Sequence, residues 1–521
     1  DTPTARRQRQ RHAPPDILLT TPEQLSLLLA HPRAPQMLGN LRTVVLDELH
    51  ALFNSKRGDL LALGLARLGQ GEAAPGRAQV AQGLRSLETR GKRIRLMEQL
   101  NRYAQLLEEV GDAAGAVSES RKALALEAEL VRNDRFLCHP SDFAEWASGK
   151  KRLTMEDFYR WQRIRHGVLV EPDGEPSGGR WNFDADNREA PPRGATTLGA
   201  PPPFHPTEDA IDASVREDLD RWTREGLVAP LGDDGTRWFA ATRDEALVAL
   251  DTFVRTRLPL FGPHEDAMLT ASWHLAHGLL AQYLNIGLLH PREVVEAAEA
   301  AYRAGRVPIA SAEGFVRQVV GWREYVWCLY WWFGPDYVSQ NVLGADRPLP
   351  PAFTGTPTKM RCVASTLQTL HDHSWAHHIQ RLMVLGNLAL LAGVDPWAMT
   401  KWMWAGFVDG AEWVMLPNVV GMALHADGGR MATKPYAAGG AYIDRMSDYC
   451  GGCAYDRTAR TGADACPFTT LYWDFLARHA ERFVRNPRMA QQVRAAERLG
   501  DLPAVRERAV EVLGLLDAGL L

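Results

Sequence analysis

Apolar residues along this chain recur mostly at helical spacing, and the places where that period breaks divide it into segments. Leu96, Leu100, Tyr103 and Leu107 fall on one helical face, Gly111-Asp112 interrupts the run, and 113–130 restarts it. From Val254 to Leu521 the same period continues between Gly and Pro punctuation, with apolar and aromatic faces too wide for surface helices. That stretch predicts an all-α domain. The front differs: Val44-Val45-Leu46 is an apolar run ending in Asp47-Glu48-Leu49-His50, the pattern of a strand that presents carboxylates. Proline-rich sequence from Gly178 to Pro206 predicts a linker. The expected divisions are a small α/β piece at 1–70 and a helical connector at 71–131, built like one tetratricopeptide hairpin. An aromatic and basic connector with its linker follows at 132–206, and the all-α domain fills 207–521.

At 521 residues, 45% hydrophobic and 23% charged, the chain has the make-up of a globular protein of two to four domains. No apolar run is long enough to cross a membrane, so no membrane partner is expected. Six cysteines in so long a chain fit a reducing compartment, the cytoplasm, better than a disulfide framework. The net charge of -4 gives no general attraction to nucleic acid, so any DNA site must be a local basic patch. Of sixteen tryptophans, nine lie between Trp322 and Trp413. That density suits either a large core or an interior that stacks a cofactor and passes electrons.

Cysteine spacing changes the picture most. Cys450-Gly-Gly-Cys453 is followed after twelve residues by Cys466-Pro467, the outline of a thiolate cage whose fourth ligand must come from far away. Cys362 is the candidate. The Cys-Pro ending matches bacterial ferredoxin motifs, yet spacing alone leaves an iron–sulfur cluster and a structural zinc both open.

The front, with Thr20-Thr21-Pro22-Glu23 and Asp47-Glu48-Leu49-His50, resembles the first motor domain of Lhr-type superfamily-two helicases. No GxxxxGK[ST] phosphate loop occurs anywhere, so ATP-driven unwinding is not expected of this fragment.

Longer strings lie beyond it: Phe261-Gly-Pro-His-Glu-Asp-Ala-Met268, Leu284-Asn285, Glu313 to Tyr325, Ala376-His377-His378 to Met383, Gly386-Asn387, Leu416-Pro-Asn418, and Lys434-Pro-Tyr436 leading through Tyr442 to Cys450. Over roughly residues 133–490 this set resembles the iron–sulfur bacterial cryptochrome and photolyase family. The resemblance implies a mainly α fold with an all-helical FAD-binding domain and a [4Fe–4S] cluster on Cys362, Cys450, Cys453 and Cys466. It implies a monomer acting on UV-damaged DNA under blue light, as a (6-4) photolyase, or alternatively a cryptochrome-like photoreceptor. His378, with His377 beside it, would face the lesion as proton donor. Tyr436 and Tyr442 would stack on flipped bases, and Lys434 and Arg445 would hold phosphates. For FAD the resemblance implies Phe261, Gly262, Asp266, Met268, Asn285, Gln318, Trp322, Arg323, Asn387, Asp409 and Asn418, with Trp402 relaying electrons.

Three departures qualify that likeness. Gly278, Ala281 and Gln282 stand where family hydroxyls meet the FAD phosphates. Thr354 replaces a relay tryptophan, and Asp409-Gly410-Ala411-Glu412-Trp413 lacks an aromatic. The front does not resemble the family's antenna domain; the chain reads as a composite, and full binding of a lumazine-type antenna chromophore is not expected.

Overall fold

The computed structural model describes residues 134–232 and 235–521. The Asp47–His50 strand and the 71–131 connector lie outside the described residues. The chain divides into two units, Asp1–Asn133 and Asp134–Leu521, so the expected boundary at 206/207 falls inside the second unit.

Among the described residues the named elements are all helices, and β pairing is limited to isolated bridges. Local chemistry sets the ends of these helices. Thr154 caps Met155–His166 by accepting from the Asp157 amide at 3.3 Å. Gly167, at φ 65°, ends that helix in the left-handed conformation that glycine adopts without a Cβ penalty. Thr242 and Glu245 form a reciprocal capping box at the start of Arg243–Thr256.

Burial organises the unit around three apolar clusters. One joins Tyr159, Phe253, Leu284, Val294 and Phe315. A second joins Val363, Leu385, Trp402, Leu416, Tyr449 and Phe475. A third, mostly aromatic, joins Phe143, Phe158, Tyr325 and Trp413. The start of the expected linker is built into this core. Phe183 and Asn187 are buried, the Phe183 amide donates to Glu313 Oε2 at 2.9 Å, and Arg317 Nη1 meets Asp184 Oδ1 at 3.0 Å.

Three π-helical segments interrupt the α-helical pattern: Arg317–Arg323, Gln380–Gly386 and Pro417–Ala423. Such widened turns cost hydrogen-bond geometry and gather at functional sites. Gly386 lets the second and third approach closely, because a Cβ there would lie 2.9 Å from the Ala423 Cβ.

Candidate active site and thiol cluster

The π-helical segments carry or adjoin much of the expected cofactor set. Gln318, Trp322 and Arg323 lie on the first, Asn387 directly follows the second, and Asn418 lies on the third. Asn387 is fully buried and clamps the Ala438 backbone, donating to its carbonyl at 2.8 Å and accepting from its amide at 3.1 Å. Asn285 donates to the Asp409 carbonyl at 2.9 Å. The Asp409 carboxylate is gripped by both Arg381 terminal nitrogens, at 2.9 and 3.1 Å, and that guanidinium lies 4.1 Å over the Phe407 ring. Asn418 donates to the Val414 carbonyl, one turn before it. Arg323 is in the aromatic cluster, paired with Glu324 at 2.8 Å and lying 4.1 Å over Phe136. Phe261 is buried edge-on to His277, and the Gly262 amide donates to Ser311 Oγ at 3.0 Å.

His373 and His377 do not share a helix. The helix Arg361–His373 ends at Ser374, which takes a left-handed φ of 50°, and helical structure resumes only at His378. The i, i+4 pairing of His373 with His377 is therefore broken. His373 stacks on Trp273 at 4.0 Å, whereas His377 stacks on His277 at 4.6 Å. Both stacked rings of the second pair are buried, and burial pushes each imidazole well below its ordinary pKa of 6.5. His377 Nδ1 accepts from the Ile379 amide at 3.3 Å, which leaves its proton on Nε2. Neither His377 Nε2 nor His277 Nε2 has a partner among the described residues.

His378 lies at the mouth of this group, its side chain 43% exposed, with Nε2 3.3 Å from Asp266 Oδ1. Asp266 also reaches Tyr442 electrostatically: burial first, then that carboxylate, push the phenol up to about 12. Burial raises Tyr436 as well, with Arg488 and Arg188 opposing it. Lys434 is held below its usual pKa by burial and by the charges of Arg488 and Arg188, and Arg445 lies 5.4 Å over the Tyr442 ring. Two tyrosines, a histidine–aspartate pair and four cations thus share one locality.

Trp402 is buried, donates Nε1–H to the Phe353 carbonyl at 2.8 Å, and packs edge-on to Phe353 and Phe407. Thr354 is exposed and spends its hydroxyl on the Pro351 carbonyl, so this position offers no second indole.

Cys362, Cys450, Cys453 and Cys466 are all free thiols, and their charges act on one another at short range. Burial and that mutual repulsion raise Cys362 well above the usual thiol value and Cys450 to about 12. The groups that converge within 4.8 Å among the described residues are histidines and carboxylates, and these thiols are not among them. The loop before Cys450 is tied to the histidine site from two sides. Met268 N–H donates to the Met446 carbonyl at 2.8 Å, and Gln380, which accepts from the His377 amide, donates to the buried Tyr449 hydroxyl at 3.0 Å.

His277, Arg381, Arg188 and Arg488 are residues that sequence reasoning missed. Arg381 sits inside the string Ala376–Met383, but its partner Asp409 lies 28 positions on, which no periodic pattern reveals.

The chain belongs to the photolyase family. A (6-4) photolyase of Agrobacterium fabrum is 46% identical over 372 residues, covering 71% of each chain. The family model described as deoxyribodipyrimidine photo-lyase-related protein matches residues 95–226, beginning within the expected connector, and the DEAD/DEAH box helicase model matches residues 1–82. The Lhr helicase/uracil glycosylase of Escherichia coli is 52% identical over 68 residues, 13% of this chain and 4% of that protein. Among solved structures, a bacterial class III photolyase from Agrobacterium tumefaciens aligns with a TM-score of 0.41 at 17% identity, over 78% of this chain and 77% of that one.

Proposed function

We propose that this protein is a light-driven DNA photolyase that reverses (6-4) pyrimidine photoproducts, using FAD held in the all-α domain and a [4Fe–4S] cluster held by Cys362, Cys450, Cys453 and Cys466. The observation that carries this reading is the half-exposed His378–Asp266 pair, flanked by Tyr436 and Tyr442 and backed by two buried neutral histidines.

The residues present suit both groups. The stacked histidines carry buried polar atoms without partners among the described residues, His277 Nε2 and His377 Nε2, which a polar ligand could meet. Four mutually repelling thiols suit the positive core of an iron–sulfur cubane, which would ionise them together. When bound and reduced, FAD supplies the electron that light sends to the damaged bases.

The rest falls to side chains. His378 carries the transferable proton on the ring that Asp266 orients; His377 and His277, neutral and enclosed, form the wall behind it. Tyr436 and Tyr442 stay protonated at neutral pH and offer aromatic faces to extruded bases, a contact worth about 1–3 kcal/mol per base. Lys434, Arg445, Arg188 and Arg488 neutralise phosphates around them. Arg381 fixes the Asp409 carboxylate so that it keeps one orientation toward the cofactor.

The test begins with anaerobic purification, an absorption spectrum and assays of iron, sulfide and flavin on one sample. Ultraviolet-damaged oligonucleotide is then illuminated with blue light, with His378→Ala as control. Repair that the substitution abolishes supports the enzyme. A flavin-loaded protein that leaves lesions untouched ends the repair reading in favour of a cryptochrome-like photoreceptor.

A further inference from the structure

A surface helix of a globular protein turns its apolar stripe toward the core. The helix Ala210–Arg224 does the reverse. Ile211, Val215, Leu219 and Trp222 recur every three or four residues, which sets them on one face. They are between 38 and 71% exposed, and no residue of this helix is buried. None of the four belongs to the three apolar clusters of the unit.

Both ends of the helix are fixed by local chemistry. Asp209 and Asp212 form a reciprocal capping box at its start. At its end Gly226, at φ 68°, donates its amide to the Thr223 carbonyl, and the Leu227 amide donates to the Trp222 carbonyl at 2.9 Å. These are the two bonds of a Schellman motif, and they turn the chain at Leu227 and Val228, which are also exposed apolar residues. What ties the helix to the protein is its polar side. Arg237 meets Asp212 at 2.6 Å and Glu245 at 2.9 Å, and Arg216 pairs with Glu208.

An apolar stripe of this length in water marks an interaction surface. Its border points to the occupant. Asp218 and Arg221 pair with each other along the edge away from Arg237, both about half exposed, and Arg221 lies 5.9 Å over the Trp222 ring. An exposed pair of this kind contributes little, so each charge can exchange its partner. One acid followed one turn later by one base is self-complementary. When a second copy lies antiparallel, Asp218 meets Arg221 of that copy and Arg221 meets its Asp218.

We propose that the helix Ala210–Arg224 pairs antiparallel with the same helix of a second copy of this chain, burying Ile211, Val215, Leu219 and Trp222 in the contact. Such a contact buries on the order of 1,000 Å² in total, the size of a weak and reversible dimer. It requires neither cofactor nor DNA.

Sedimentation equilibrium of the full chain from about 1 to 100 µM should show a monomer–dimer transition. Leu219→Glu with Trp222→Ser should weaken it by about 100-fold or more, while circular dichroism and melting temperature hold, because both side chains face solvent in the monomer. Asp218→Arg and Arg221→Asp each set like charges against each other in a self-pair and should weaken it by about tenfold. A mixture of these two single variants restores opposite charges across the contact, so it should associate within about threefold of wild type. A change inside one helix cannot produce that recovery. A monomer throughout the concentration range, a dimer indifferent to the stripe, or a mixture no stronger than its components overturns the proposal.

Discussion

The thiol cluster and the histidine site are neighbours built on opposite terms. Around the cysteines, burial and mutual repulsion drive Cys362 and Cys450 toward their neutral form, and the proposed cluster would ionise the thiols together. Around the histidines burial has already settled the protonation of two rings, which are neutral and stacked, while His378 lies against Asp266. On the proposed reading, one region needs its cofactor in order to be a structure. The other is a preorganised surface whose unpartnered atoms wait for a ligand. The links from Met268 to Met446 and from Gln380 to Tyr449 mean that failure of the first should loosen the second.

The largest effect should come from removing thiolates. Cys450→Ser with Cys453→Ser is expected to abolish iron binding and cost on the order of 5 kcal/mol or more, read by iron assay and chemical denaturation. If the iron-free protein keeps its stability and its protease resistance at 446–466, the contrast between the regions fails.

Next is the buried ion pair. Arg381→Met leaves the Asp409 carboxylate, 11% exposed, without its counter-charge and should destabilise by about 3 kcal/mol. Adding Asp409→Asn should restore more than half of that. A double variant no more stable than the single one would show that Arg381 acts through packing on Phe407 instead.

His378→Ala should lower repair by about 100-fold or more. Its effect on stability should stay within about 0.5 kcal/mol, because the ring is 43% exposed. Loss of stability on the scale of the cysteine variants would place this histidine among the structural ones.

Acid gives the smallest and most selective probe. His277 and His377 have folded pKa values below the unfolded 6.5, so below that pH the unfolded chain binds more protons and stability falls as pH falls. The slope is about 1.4 kcal/mol per pH unit for each ring while it stays neutral. Unfolding followed between pH 7 and 5 should show this loss, and His277→Gln should flatten it. An unchanged slope would mean that the stacked pair is not what acid attacks.

Much of the site was legible because its residues come in short local strings. Cys450, Cys453 and Cys466 announce a cage by spacing, and His377-His378 and Tyr436 with Tyr442 stand in motifs a few residues long. What stayed hidden are couplings across the fold. His277 meets His377 one hundred positions later, Arg381 meets Asp409, and Arg188 reaches Tyr442 from a stretch that reads as linker. The helix Arg361–His373 stops short of His377 because Ser374, a residue type that tolerates αL poorly, takes that conformation under tertiary constraint.

The sequence by itself determined the helical class and brought out the grouped cysteines and the His377-His378 string as candidates, since period and spacing are properties of a line. Only tertiary structure decided which histidine is exposed and which are sealed neutral. The same holds for which carboxylate lies against the exposed one. Solvation and pairing depend on what lies opposite a side chain, and that is fixed only when distant segments pack.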